Sequence, residues 1–408
     1  MFRRVTWLAS LLLVITACTA SSTEETTPSI ESATSSIEDV PPPTEPIIGF
    51  GRLVVVDEGG DIVILDPDGS DRMPITDDAG ETAIYSQPIW SAVGASVAWG
   101  QVTPDGFAVG IRAVDDNEST TVETPHLPFY MHWSPDGKRL GILHNGTEAL
   151  DFAMVDVPSA TSTVVDGGSP FYFSWSPDGE RVVTHVGSDR FETVKPDGTS
   201  APAGSTSPGY LAPQWTPAGV FHVDDGFLVV DQVDAERRQI VEVGAFTSFV
   251  VNPRGTQVAV QSTGGPPAIS VSLVDVAAQP VEGIPSEVVV VVDVATGTSE
   301  PITERPALGF FWSPNGEALL LMTPSGEGMQ ATVWGTDGIK TNYEEFRPSV
   351  LLVRSMFPFF PQYAQSMSYW SPDSAAFTYA ADDGIWVQRL DDDAADKISG
   401  GSWVAWSR

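Results

Sequence analysis

The side chains of this chain that suit acid–base or metal chemistry are five histidines, one cysteine and 54 carboxylates. The histidines are widely spaced, and no His-x-x-x-His pair or cysteine cluster offers the ligand spacing of a zinc site. We therefore expect isolated structural or surface histidines, and we predict neither a metal nor a cofactor. The five are His126, His132, His144, His185 and His222.

Two Asp-rich segments, residues 66–71 and 391–396, suggest calcium binding at first sight. Neither matches the Asp-x-Asp-x-Asp-Gly loop with its distal glutamate, so we interpret both as turns. The chain also lacks a Gly-x-Ser-x-Gly nucleophile elbow and a glycine-rich phosphate loop. The sequence therefore identifies no catalytic residue, and it does not favour an enzyme.

The residues that organise the chain form a repeated motif, Trp-Ser-Pro-Asp-Gly, followed by an apolar run. Proline fixes φ and glycine accepts positive φ, so the motif favours a tight turn between two strands. Self-similarity at a period near 40 residues is typical of a propeller or a solenoid. Four close copies begin at Trp133, Trp175, Trp312 and Trp370. Three weaker copies begin at Trp90, Trp215 and Val251, and a truncated copy begins at Trp406.

The repeat predicts an all-β chain that forms a single β-propeller over residues 48–408. Eight motif positions give eight four-stranded blades of about 45 residues each, or seven if the copy at Val251 is not a blade. Longer spacings predict insertions within residues 251–312 and at residues 346–368. Residues 52–56, which are apolar after Arg52, lack a preceding first strand, which residues 402–406 can supply. We predict that these two segments pair in one blade and close the ring, which removes open sheet edges.

The Trp-Ser-Pro-Asp-Gly copies resemble the repeats of TolB-like propellers, in which this motif marks each blade. The resemblance covers residues 48–408 and implies the propeller fold. It implies little about activity, since such propellers serve as scaffolds, as transport-linked proteins and as one half of some serine peptidases. Those peptidases carry a separate α/β-hydrolase domain, which we do not expect in this chain because residues 48–408 are assigned to blades.

Residues 1–17 have the layout of a lipoprotein signal peptide. Arg3 and Arg4 precede an apolar run that is short for a bilayer span. The run ends in Ile-Thr-Ala-Cys, which resembles a bacterial lipobox, and Cys18 is the only cysteine of the chain. We predict that Cys18 is lipidated; the alternative is an ordinary secretory signal with an incidental cysteine.

Residues 18–47 are rich in Ser, Thr, Glu and Pro and contain neither Lys nor Arg. This composition predicts a disordered tether with a reach of about 30 Å. We therefore expect an extracytoplasmic propeller that stands away from the membrane and is held to it only by the lipid on Cys18.

The chain carries 54 acidic and 20 basic residues, which gives a net charge of −34. Such a surface repels nucleic-acid phosphates and anionic lipids, so we expect no nucleic-acid partner. The charge suits a cationic partner or substrate; the alternative is that it only keeps the protein soluble in a salty habitat. We expect a monomer.

The insertion at residues 346–368 is the most individual stretch of the chain. It collects aromatic and basic side chains within an acidic sequence, and both types are enriched at binding hot spots. We predict that it forms a binding lobe on one propeller face; the alternative is that it packs against neighbouring blades. The candidate binding residues are Arg347, Arg354, Phe357, Phe359, Phe360 and Tyr363.

These features favour a lipid-anchored, extracytoplasmic β-propeller that acts as a non-enzymatic binding or scaffold protein of the cell envelope. Its partner would be a protein or a small ligand. The alternative is a propeller enzyme, a hydrolase or lyase that acts on a sugar or peptide at the mouth of the central channel. Carboxylates, histidines or arginines that converge from several blades would favour the enzyme, and a plugged channel would favour the binding protein.

Overall fold

The computed structural model describes residues 51–232, 236–263, 287–326 and 328–407. The described residues form eight antiparallel sheets with the repeating strand order of a β-propeller. The predicted all-β fold with eight blades is therefore confirmed, and the degenerate copy at Val251 does end the first strand of a true blade. The predicted signal peptide, Cys18, the tether and most of the insertion expected within residues 251–312 lie outside the described residues.

We number seven blades in chain order and name the eighth, which joins both ends of the described chain, the closing blade. The strands of the first half are β1 (Leu53–Val56), β2 (Ile62–Leu65) and β3 (Met73–Pro74) in the closing blade, β4 (Ile84–Trp90), β5 (Ser96–Thr103), β6 (Gly106–Ala113) and β7 (Thr120–Thr124) in blade 1, β8 (Tyr130–Trp133), β9 (Arg139–Asn145), β10 (Leu150–Asp156) and β11 (Thr161–Gly168) in blade 2, and β12 (Phe171–Trp175), β13 (Val182–Val186), β14 (Arg190–Val194) and β15 (Ser200–Pro202) in blade 3.

The second half continues the same pattern up to the last strand of the described chain. Its strands are β16 (Gln214–Thr216), β17 (Gly219–Asp224), β18 (Phe227–Asp231) and β19 (Arg238–Glu242) in blade 4, β20 (Phe246–Val251), β21 (Gln257–Thr263), β22 (Val289–Asp293) and β23 (Ser299–Pro301) in blade 5, β24 (Gly309–Trp312), β25 (Ala318–Ser325), β26 (Gly328–Gly335) and β27 (Lys340–Phe346) in blade 6, β28 (Ala376–Ala381), β29 (Gly384–Arg389) and β30 (Asp396–Ser399) in blade 7, and β31 (Trp403–Trp406) in the closing blade.

Pairing of the two ends of the described chain closes the ring, as predicted. Strand β31 is the first strand of the closing blade and runs antiparallel to β1, with Leu53 opposite Trp406 and Val56 opposite Trp403. All eight residues of this pair are buried. Closure therefore pairs the edges that β1 and β31 turn towards each other.

Blade 7 differs from the others because its sheet contains three strands and not four. In the place of a first strand, Trp370 forms an isolated antiparallel bridge to Phe377. A helical insertion leads directly into this position, since its last helix ends at Ser366. Few residues lie between the end of this helix and the next motif turn, so no full first strand forms beside β28.

The motif tryptophans join neighbouring blades. In blades 2, 3, 6 and 7 the indole N–H donates to a backbone carbonyl on the first strand of the preceding blade, and all four side chains are at most 8% exposed. The bonds join Trp133 to Ile89 (3.4 Å), Trp175 to His132 (3.0 Å), Trp312 to Val250 (2.9 Å) and Trp370 to Phe311 (2.9 Å).

A glutamine provides the joint between blades 4 and 5, where the motif has valine in place of tryptophan. The amide of the buried Gln214 donates to the Phe249 carbonyl (2.8 Å) and accepts from the Val251 N–H (2.8 Å). The degenerate copy therefore keeps an interblade hydrogen bond by other means.

The remaining motif residues build the turn. In blade 2 the Ser134 hydroxyl donates to Asp136 (2.6 Å) and accepts from the Arg139 N–H (3.0 Å). Gly137 has a φ of +68°, which favours glycine, and its N–H donates to the Ser134 carbonyl (2.9 Å). The copy in blade 7 holds Ser374 at φ +61° in the place of this glycine.

Replacing Trp370 by phenylalanine tests the interblade hydrogen bond. The substitution removes one donor from the Phe311 carbonyl, which stays opposite Leu320 in the strand ladder, so we expect a loss of about 0.5–1.5 kcal/mol in the free energy of unfolding beyond the loss of ring volume. Trp406→Phe is the matched control, since Trp406 is also buried but its indole N–H has no partner among the described residues. Equal losses in urea unfolding of the two variants would contradict the interpretation.

Candidate functional site at the plugged channel

The first strands of the blades surround the central channel and define two faces of the propeller. Motif turns such as 134–137 follow the first strands, and we name their side the motif face. The opposite side, where the first strands begin and where the second and third strands of each blade are connected, is named the plug face.

A helical segment, residues 347–368, fills the channel and is named the plug. It contains a π-helix (Leu352–Met356), a 3-10 helix (Phe357–Phe359) and α1 (Phe360–Ser366). Prolines stand in the first turn of the last two helices, where the missing N–H costs nothing and the fixed φ favours the helix. Helix α1 packs against the first strands β8, β12, β20 and β24 of four blades.

Aromatic side chains of the plug pack against the walls of the channel. The ring of Phe360 meets Phe310 edge-on at 4.6 Å between centroids, and Tyr363 meets Tyr130 in the same way at 5.1 Å. Such edge-to-face pairs add to the stability gained by burying the rings. The plug thus belongs to the main hydrophobic core of the propeller.

A buried glutamine bonds the plug to an inner strand edge. The amide of Gln362 donates to the Phe173 carbonyl (2.8 Å) and accepts from the Phe173 N–H (3.0 Å), as a neighbouring strand would. The Tyr130 hydroxyl donates to the main-chain oxygen of Gln362 (2.9 Å), and the Tyr363 hydroxyl donates to the Phe129 carbonyl (2.6 Å). Buried polar groups on both sides are satisfied by these bonds.

The structure divides the six predicted binding residues into two groups. Phe357, Phe360 and Tyr363 are 7%, 4% and 5% exposed and lie in the core, where they hold the plug. Phe359 is 47% exposed, and Arg347 and Arg354 are also exposed. The second group alone is accessible from solvent, so the insertion both packs against the blades and presents side chains on one face.

Sequence reasoning did not separate these groups because aromatic residues serve cores and binding sites equally well. One signal was available in Gln362, a polar residue among aromatics that an exposed lobe does not require. The structure also shows that Gly309 makes room for the plug, because a Cβ there would lie 3.0 Å from the ring of Phe311 and 3.2 Å from that of Phe357.

A cleft of about 370 Å³ opens beside Phe359 on the plug face. Its walls are mostly aromatic and aliphatic, with amide groups from Gln87, Asn145 and Gln362, and burial raises the pKa of the Tyr172 phenol. None of the described residues that line it is Asp, Glu, Lys, Arg or His. The chief apolar lining residues are Phe129, Leu143, Leu150, Phe171, Tyr172 and Phe359.

A second cavity, of about 520 Å³, lies at the motif face on the other side of the plug. Prolines and tryptophans of the motif turns form its wall, together with Gln365 of α1. His132 is its one lining histidine, and the described residues around it include no Asp, Glu, Lys or Arg. This cavity therefore lacks the convergent carboxylates that an acid–base mechanism would need.

The histidines do not meet at a common centre. Within the described ranges, no group of three or more His, Cys, Asp and Glu side chains is placed to hold a metal ion. His222 is fully buried and bonds Asp231 at 2.8 Å, and Arg237 reaches the same carboxylate at 2.6 and 2.8 Å. Partial burial opposes ionisation of Asp231, but the bonds from His222 and Arg237 outweigh it and lower its pKa to about 2.

This charged cluster in blade 4 is a structural feature that the sequence did not reveal. Its three members are on different strands or loops, and only the folded sheet brings them together. A carboxylate with so low a pKa stays charged and paired at neutral pH, which suits a structural ion pair better than a general base.

No helix among the described residues is long and apolar enough to cross a membrane.

The geometry defines the class of the protein as a closed eight-bladed β-propeller with a plugged channel. No family model and no curated protein matches the sequence. Similar solved structures include a eukaryotic initiation factor, 12% identical with a TM-score of 0.54 over 88% of this chain and 98% of that one. Another is an oligogalacturonate lyase in complex with manganese, 12% identical with a TM-score of 0.51 over 84% and 98% of the two chains.

TolB from Acinetobacter baumannii, a protein of the family that the motif resembles, is also similar. It is 15% identical over 72% of this chain, with a TM-score of 0.40, and this chain spans 63% of its length. At these identities the likeness to solved structures shows the fold alone.

Replacing Gln362 by leucine tests the bond between the plug and the inner strand. The substitution strands the N–H and the carbonyl of Phe173, so we expect the free energy of unfolding to fall by about 2–5 kcal/mol. The matched control is Gln365→Leu, because that half-buried amide donates to the Pro213 carbonyl (3.2 Å) nearer the motif face and should cost less. Chemical unfolding measures both, and a Gln362 variant as stable as wild type would refute the role.

Proposed function

We propose that this chain is a lipid-anchored, extracytoplasmic binding protein of the cell envelope, and that it recognises its partner with the plug face. The observation that supports a binding role most directly is the filled channel. A plug that shares the core with the first strands turns the mouth of the channel into a fixed surface. A rigid surface suits recognition because little conformational entropy is lost on binding.

The lining of the two cavities further favours binding over catalysis. Acid–base work on a sugar or peptide needs titratable groups within hydrogen-bond reach of the reacting atoms. The described residues around both cavities include His132 but no carboxylate, lysine or arginine. A mostly apolar cleft with a few amides is the usual composition of a binding site.

The candidate residues take different parts in this proposal. Phe359, with Arg347 and Arg354, contacts the partner directly. The buried Phe357, Phe360 and Tyr363 support the surface from below and reach no partner. Within the described chain, Arg354 has no hydrogen bond or ion pair and is therefore available to a carbonyl oxygen of the partner.

The anchor is proposed from the sequence, since Cys18 lies outside the described residues. A single lipidated cysteine at the end of a signal peptide would hold the propeller at a membrane through the tether of residues 18–47. The charge of −34 disfavours a direct contact of the propeller with anionic lipids.

Phe359→Ala tests the recognition surface. We expect the recovery of partners from solubilised membranes to fall about tenfold, because truncation of an aromatic hot spot costs at least about 1–2 kcal/mol. The melting of the propeller should change little, since Phe359 is 47% exposed.

The control for this experiment is Ile339→Ala. Ile339 is 65% exposed and lies on the hairpin between β26 and β27, on the motif side. It should recover the same partners as wild type. Full recovery of those partners by the Phe359 variant would contradict the assignment, whereas equal losses by both variants would point to non-specific adhesion.

Cys18→Ser tests the anchor. We expect the variant to leave the membrane fraction or to retain its signal peptide, because the lipid acceptor is gone. Fractionation and mass measurement of the N-terminus distinguish these outcomes from wild type. Wild-type protein found free in the medium without proteolysis would contradict the proposed lipid attachment.

A further inference from the structure

Exposed large apolar side chains are concentrated on the plug face. Four of them stand at or just before the start of a first strand, in blades 1, 2, 5 and 6, and the plug adds more. Their exposure ranges from 37% for Phe129 and Leu308 to 70% for Phe246. The set that surrounds the channel mouth is Ile84, Phe129, Phe246, Leu308, Val353 and Phe359. Exposed apolar side chains gathered around a channel mouth favour an interaction site.

The outer part of the same face is acidic. The second and third strands of each blade are connected on this side, and in six blades the connection carries an exposed Asp or Glu. These residues are Glu58, Asp105, Glu148, Asp189, Asp225 and Asp382. We name them the acidic rim. They occupy the same connection in six of the eight blades, so negative charge stands around much of the channel mouth.

The cleft beside Phe359 lies where the apolar centre meets the rim. Asn145 and Leu150 line the cleft, and Glu148 stands on the turn between them. Asp189 occupies the corresponding turn of blade 3, whose first strand supplies Phe171 and Tyr172 to the cleft wall. A group held in the cleft thus has two exposed carboxylates at neighbouring hairpin tips.

We propose that the plug face binds a segment of a partner protein. A bulky apolar side chain of this segment enters the cleft, and basic residues on either side of it in the segment face the acidic rim. This inference rests on the proposed function and specifies the chemistry of the partner. Its basis is charge complementarity, because apolar burial supplies affinity at the centre while the rim selects positive charge and excludes negative charge.

A membrane surface and a nucleic acid fit this face less well than such a segment. Both present phosphates, which the acidic rim repels. A cleft of about 370 Å³ is concave and suits a single inserted side chain better than a flat array of lipid headgroups. The exposed amide of Asn145 and the side chain of Gln87 can bond the main chain of a peptide that crosses the cleft.

The test uses the full chain, purified in detergent and immobilised, with two pools of short synthetic peptides as probes. Every peptide has a central Phe, Trp or Leu; the flanking positions are Lys or Arg in one pool and Asp or Glu in the other. We expect the basic pool to be retained about tenfold more strongly than the acidic pool, and the difference to shrink at high salt.

Two matched pairs of charge reversals locate the effect. Glu148→Lys with Asp189→Lys alters the rim beside the cleft and should remove the preference for basic peptides. Asp115→Lys with Glu180→Lys makes the same change in net charge at exposed positions on the motif side and should leave the preference unchanged. Thermal melts of both variants confirm that each is folded before it is compared.

Equal retention of the two pools by the wild-type protein would overturn the inference. So would equal retention of the basic pool by the wild-type protein and the Phe359→Ala variant. Equal effects of the two pairs of charge reversals would also overturn it. Retention of anionic vesicles in place of peptides would also reject it, in favour of a lipid surface. The proposed function fails separately, since it depends on membrane partners that Phe359→Ala no longer recovers. Loss of those partners without a preference for basic peptides would leave that function standing and reject only the apolar and basic chemistry of the partner segment.

Discussion

The unpaired inner edge of each blade is the constraint on which the structure depends. Every first strand has a neighbour on one side only, so its other edge turns N–H and carbonyl groups towards the channel. In an apolar channel these groups are costly unless they are bonded. Two glutamines bond such groups: Gln214 between blades 4 and 5, and Gln362 of the plug. The motif tryptophans add bonds from one blade to the first strand of the preceding blade. The joint between blades 4 and 5 and the plug therefore meet the same hydrogen-bonding requirement in the same way.

In the proposed function, the plug also carries the recognition surface. Because its inward side chains are fixed in the core, its outward residues stand at constant positions above the channel mouth. Phe357 and Phe360 are buried against the blades and Phe359 is exposed to solvent. One short helical turn therefore contains both the residues that hold the plug and a residue that is accessible to a partner. The same turn brings Phe359 to the cleft that the starts of the first strands form.

The fold was predictable from the sequence to a large extent, because the spacing of the motif indicates the blades and its residues indicate the turn between two strands. Eight blades and the closure of the ring followed from local patterns. The place of the plug did not follow, since residues 347–368 have no repeat and their aromatics suit a core and a surface alike. The three-stranded form of blade 7 and the cluster of His222, Asp231 and Arg237 also depend on contacts between distant residues. The net charge suggested the partner chemistry proposed above, but the proposed position of the partner depends on where the folded sheets place the hairpin tips.

The central claim is that the plug is part of the folded propeller and not a lobe resting on it. Hydrogen exchange of the full chain tests this most directly, because exchange reports local opening residue by residue. The N–H groups of Phe173 and Met367 are bonded to Gln362 and to the Tyr363 carbonyl, respectively. The account predicts that both exchange as slowly as the buried strand β13. Rapid exchange at these two positions, with β13 still protected, would show that the plug opens independently and would contradict the account.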